Sequence, residues 1–209
     1  MRGKVRTVLG VGGSLNYGRR DLVNFRIEDG DSAVVEIAHF GHLGGGIEIA
    51  TRRPVVLRSL ETHTLSGAPA AAGGEVFLED VVGGNFRFRK QHVWARQLNI
   101  ENEGTHLTND GGDVWILGYK TERGGTLAHT LGGGRTEILG GFSYTTTAGK
   151  LAPMFVNEES GMWTYFAERC YNGDPFATLI RETRGGETRE VKPNPATTAP
   201  YSGRKQASP

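Results

Sequence analysis

The amino-acid sequence predicts an all-β fold, a parallel β-helix of roughly eight or nine coils, and three observations lead there. A short β-branched motif recurs. Val55-Val56-Leu57-Arg58, Val76-Phe77-Leu78-Glu79, Val93-Trp94-Ala95-Arg96, Val114-Trp115-Ile116-Leu117 and Thr136-Glu137-Ile138-Leu139 start 21, 17, 21 and 22 residues apart. Val34-Val35-Glu36-Ile37 extends the series backwards by another 21. A repeat of this length is too short for two helices and suits one solenoid coil made of strands. Glycine supplies the second observation, with 32 in 209 residues, about twice the usual share. The third is that no segment keeps a helical period over ten residues.

Taken in order, period-two patterning places strands at about 5–11, 23–28, 34–40, 47–50 and 55–61, then 75–82, 86–89 and 93–101. Later strands fall at 114–121, 136–144, 153–157, 162–168, 177–183 and 187–191. Between them lie Gly44-Gly45-Gly46, Gly83-Gly84, Gly111-Gly112, Gly132-Gly133-Gly134 and Gly185-Gly186, where the backbone must turn. These are corners, not phosphate loops. Gly10-Val11-Gly12-Gly13-Ser14-Leu15 lacks the third glycine of a dinucleotide fingerprint and the helix that should follow. Residues 64–74, rich in alanine and glycine, read as a low-complexity loop. The domain is expected to span 1–191, with 192–209 an extended or disordered Pro- and Thr-rich tail.

Stacking the copies puts Leu57, Leu78, Ala95, Ile116 and Ile138 in one inward column. Arg58, Glu79 and Arg96 form a second column of alternating charge, able to fix register through cross-strand pairs. Val56, Phe77, Trp94 and Trp115 form a third, either a hydrophobic stack under a loop or a sugar-stacking platform.

Twenty-four basic and 23 acidic side chains leave a net charge of +1, so no strong field favours nucleic acid. No run approaches the ~18 apolar residues of a membrane-spanning helix, so no membrane insertion is expected. Cys170, the lone cysteine, excludes an internal disulfide and reads as a small buried filler. The chain enters a strand-like run at once, without a leader or a capping helix, which reads as a fragment or mature chain.

Three stretches carry a family resemblance: Val93-Trp94-Ala95-Arg96-Gln97-Leu98-Asn99-Ile100-Glu101-Asn102, Asn109-Asp110-Gly111-Gly112-Asp113-Val114-Trp115-Ile116-Leu117-Gly118, and Thr136-Glu137-Ile138-Leu139-Gly140-Gly141. Over about residues 20–190 the pattern resembles the C-terminal coils of right-handed parallel β-helix proteins of the pectate-lyase superfamily, including those near family-55-type glucanases. The resemblance implies right-handed coils and an extracellular or envelope-associated protein that acts on, or adheres to, complex carbohydrate.

A lyase of that kind needs a base and often acidic groups holding calcium, and a glycosidase needs two carboxylates ~5–9.5 Å apart. The densest polar constellation is His106, Asn109, Asp110 and Asp113, with His129 and Arg135 about one coil on. Asp110 and Asp113 are the candidate acid pair or Ca2+ ligands, and Arg135 or Arg123 the base. Trp94, Trp115, His106, His129 and Arg123 are the candidate substrate contacts. The alternative is that Asn109-Asp110-Gly111-Gly112 is an Asx-type turn. His39, His42 and His63 form a second cluster, either a polar ladder or a metal site, and no metal ligands are assigned. Glu101 and Glu122 repeat the column theme as carboxylates.

Two functions follow as expectations. One is a carbohydrate-associated β-helix that binds or depolymerises an extracellular polysaccharide, as a lyase or glycoside hydrolase. The other is a non-catalytic structural module, such as an adhesin, tailspike-like element or filament subunit, that forms homo-oligomers through its coil ends or faces.

Overall fold

The computed structural model describes residues 1, 3–14, 23–193 and, for the backbone, 201–203. Leu15 of the Gly10 run, and 194–200 and 204–209 of the expected tail, lie outside the described residues.

The strands in chain order are β1 (Thr7–Leu9), β2 (Phe25–Glu28), β3 (Val35–Phe40), β4 (Gly46–Ala50), β5 (Val55–Gly67), β6 (Glu75–Arg89), β7 (His92–Ile100) and β8 (Leu107–Asp110). After them come β9 (Asp113–Thr121), β10 (Ala128–Leu131), β11 (Arg135–Thr145), β12 (Phe155–Glu158), β13 (Gly161–Cys170), β14 (Ile180–Arg184), β15 (Glu187–Val191) and β16 (Tyr201–Gly203). They wind into a parallel β-solenoid of about eight turns. Each full turn visits three faces. The first stacks β1, β3 and the opening residues of β5, β6, β7, β9, β11 and β13. The second continues those longer strands beyond a bend. The third stacks β2, β4, the ends of β5 and β6, and then β8, β10, β12 and β14.

The inward column is as the repeat predicts. Leu57, Leu78, Ala95, Ile116 and Ile138 are successive register partners and at most 5% exposed. Burying each large member contributes about 1.5–3 kcal/mol. Asn109, Thr130 and Asn157 make a fully buried polar column under the third face, where the narrow corner brings backbone groups that need partners.

The bend between the first two faces is made by the left-handed backbone of one residue per coil. His39 (φ 60°), Ser59 (φ 45°), Asp80 (φ 54°) and Gln97 (φ 58°) hold it in the early coils, Gly118 and Gly140 in the later ones. The sequence places glycine pairs at the corners, and this corner departs from that expectation because four coils accept the strain of a side chain there.

Several expectations are corrected. Val35, not Val34, is the partner of Val55, because this coil takes 20 residues where the next, from Val55 to Val76, takes 21. Residues 64–67 are strand, since β5 runs on through the second bend to pair with β4 and β6; only Pro69–Ala71 forms a short helical turn. The strands Leu107–Asp110 and Ala128–Leu131 fall outside the expected set, being short and interrupted by buried polar residues. Parallel winding also stops before 191. β15 runs antiparallel to β14 through Gly185 (φ 58°) and Gly186 (φ 80°), a two-residue link that can only make a hairpin. β16 likewise adds antiparallel to β13, so part of the expected tail caps the last coil. Both exposed C-terminal sheet edges thereby acquire a partner strand. Cys170 is exposed, its thiol donating to the carbonyl of Gly173 at 2.9 Å.

Candidate functional site

The outward positions of the first face form three parallel columns because side chains alternate along each strand. The central column is Val56, Phe77, Trp94, Trp115, Glu137 and Trp163. Phe77 and Trp94 stack with centroids 5.0 Å apart and planes 12° from parallel, and Trp94 and Trp115 do so at 5.2 Å and 13°. Coil spacing, ~4.8 Å, sets that separation. No described loop covers the rings; Phe77 and Trp94 remain 37% and 36% exposed beside an open groove of about 520 Å³.

On one side of the aromatic spine lies Arg58, Glu79, Arg96, Leu117, Leu139 and Tyr165. Glu79 is held between Arg96 and Arg58, with Arg58 Nε at 3.2 Å. The hydrogen bond from Arg96, followed by the charges of both guanidiniums, keeps its carboxyl below the ordinary range. Leu117, Leu139 and Tyr165 continue this column as exposed apolar groups. On the other side stand Glu75, His92, Asp113 and Arg135, again register partners. His92 Nδ1 lies 3.1 Å from Asp113 Oδ2, while the Arg135 guanidinium sits 5.9 Å from the Trp115 ring centre and bonds Glu137.

The structure brings Trp94, Trp115, Asp113 and Arg135 onto this face and disperses the other candidates. Asp110 is on the third face, across the Gly111 corner from Asp113, with Arg87 Nη2 at 3.6 Å. The two aspartates therefore face different partners. Asn109 closes the corner: its Nδ2 donates to the carbonyls of Gly112 (3.0 Å) and Arg135 (2.9 Å) and to Thr136 Oγ1 (3.0 Å), and its Oδ1 accepts from the Gly112 amide. This is the Asx-type turn weighed above, extended into a clamp between coils. His129 projects from the third face, 3.4 Å from Glu158. Arg123 reaches Glu103 at 3.6 Å near the bend into that face.

His106 is fully buried and cannot meet a polymer on the surface. Burial pushes its imidazole down to about 4, against a smaller upward pull from the backbone of Asn102, and neither ring nitrogen has a hydrogen-bond partner of good geometry. The three other histidines do not stack. His39 sits at the bend beside Ser59, and His42 is 2.9 Å from Glu61, two residues before His63. Among the described residues no group of three or more His, Cys, Asp or Glu could hold a metal ion. Glu101 and Glu122 converge on Lys120, which also lies 5.2 Å from the Tyr144 ring centre.

Sequence reasoning missed Glu75 and His92. The signal was available, because each lies two residues before a spine aromatic and so shares its outward face.

No helix among the described residues is long and apolar enough to cross a membrane. Compared with family models, curated proteins and solved structures, the chain matches none, so what stands is the parallel β-solenoid itself.

Proposed function

We propose that this chain is a polysaccharide-binding β-solenoid of the right-handed, pectate-lyase-like kind, acting outside the cell or in its envelope. The observation that supports this most is the open groove of the first face, an aromatic spine running across successive coils beside an Arg58–Glu79–Arg96 ladder. A chain of sugars lying along it meets apolar ring edges and a row of guanidinium and carboxylate groups able to hydrogen-bond hydroxyls. The proposal is for binding; Asp110 and Asp113 lie on different faces and do not form the acid pair of a glycosidase.

The test is affinity electrophoresis against a panel of acidic and neutral glycans, with degradation assayed in parallel. Retardation by at least one glycan, lost in Trp94→Ala and Arg96→Ala but kept in Asp110→Ala, is the expected outcome. Absence of retardation on every glycan overturns the reading.

A second reading, an assembly module, has its own support. The spine rings cover one another's faces, and Arg135 lies over the outer face of Trp115, so a partner meets ring edges. Sugar stacking uses ring faces, whereas an apolar strip rimmed by charge is the anatomy of a protein interface.

A further inference from the structure

We propose that the first face docks against the same face of a second copy, with the two solenoids antiparallel about a twofold axis that passes between the β7 and β9 coils. This rests on the assembly reading above.

The charges select the arrangement. When two flat faces meet about a twofold axis parallel to the solenoid, each coil's left column meets the right column of the same coil. That apposes Glu75 with Glu79 and His92 with Arg96, and so sets a carboxylate against a carboxylate. A perpendicular twofold makes the solenoids antiparallel, and each column then meets itself in reverse order. If the axis passes through the β7 coil, Glu75 meets Asp113 and Arg96 meets Arg96; through the β9 coil, Asp113 meets Asp113 and His92 meets Arg135. Like charges oppose in both cases.

Placed between β7 and β9, the axis sets Glu75 against the partner's Arg135 and His92 against the partner's Asp113, each contact occurring twice. Trp94 then meets the partner's Trp115 across the axis. Moving the axis one coil gap either way leaves part of the column unmatched: between β9 and β11, His92 faces Gly161. The chosen register is the one that pairs all four groups of that column, with Trp94 and Trp115 at its centre; the ladder's Arg96, Glu79 and Arg58 then meet the partner's Leu117, Leu139 and Tyr165, so no like charges oppose there.

It also overlaps six coils, β5 to β13. At ~4.8 Å per coil and ~3.3 Å per strand residue, these give about 450 Å² of flat face per copy. Two such faces fall below the ~1,200 Å² total of stable specific interfaces, so the dimer is weak and its population depends on concentration.

Sedimentation velocity over a concentration series tests the pairing through a charge swap. Glu75→Arg alone and Arg135→Glu alone each raise the dimer dissociation constant about tenfold or more, and the double variant restores it. Within one copy these residues stand three coils apart, ~14 Å, so the restoration reports a contact between copies. In a Cys170→Ser background, Glu75→Cys with Arg135→Cys is captured as a covalent dimer by a short bismaleimide that spans the ~10 Å between sheets packed face to face, and neither single cysteine is captured to the same extent. A chain that stays monomeric up to millimolar concentration overturns the assembly reading and this register with it. Association that neither the swap restores nor the cysteine pair captures leaves that reading standing and overturns the register alone.

Discussion

Acidification should weaken this solenoid through His106 before its carboxylates are fully protonated. The imidazole is buried with an ordinary value of 6.5 lowered to about 4 by burial. In the unfolded chain it takes a proton below 6.5, while in the folded coil it stays neutral down to about 4. The unfolded state thus binds more protons across that window, and stability falls as pH falls. The contribution is intact above the unfolded value, declines between the two, and is fully lost below about 4. A shift of that size corresponds to a loss of about 3 kcal/mol, a large fraction of a domain's net stability. Urea denaturation of the parent and of His106→Leu, at intervals from neutral pH to about 4, isolates the effect, since the variant lacks the proton site and keeps every carboxylate. The stability difference should swing toward the variant by about 3 kcal/mol as pH drops. A difference that stays constant across the window would refute the assignment of His106 as a buried neutral imidazole.

Other outcomes follow from the same geometry. Asn109→Ala should cost about 2–4 kcal/mol in chemical denaturation, because two carbonyls and Thr136 lose a buried donor together. Leu57→Ala should cost about 2–5 kcal/mol by the same measurement. Gln97→Gly should instead stabilise by about 1 kcal/mol, since glycine relieves the left-handed backbone at that bend, and a lower thermal midpoint would contradict this. Gly186→Val should loosen the β14–β15 hairpin, read as faster amide exchange in β14 while β7 and β9 keep their protection.

The coil repeat was legible because a solenoid repeats its environment. Val55, Val76, Val93 and Val114 meet the same neighbours in each turn, so similar residues recur and the columns can be stacked on paper. The aromatic spine and the Arg–Glu–Arg ladder followed from that stacking. The strands at Leu107–Asp110 and Ala128–Leu131 were hidden because their inward positions carry Asn109 and Thr130, polar groups that break the apolar alternation. The antiparallel hairpin had a local sign, the two-residue Gly185-Gly186 link, which the expectation of continued winding obscured.

What the sequence determined by itself was the solenoid and the membership of its columns, since period-two alternation and a near-constant repeat are properties of the chain alone. Which outward groups share a face was decided by tertiary structure, because residues three apart such as Asp110 and Asp113 are separated by a corner whose angle depends on the Asn109 clamp. The burial of His106 was decided there too: a histidine next to Leu107 reads the same on paper whether the coil turns it toward water or into the core.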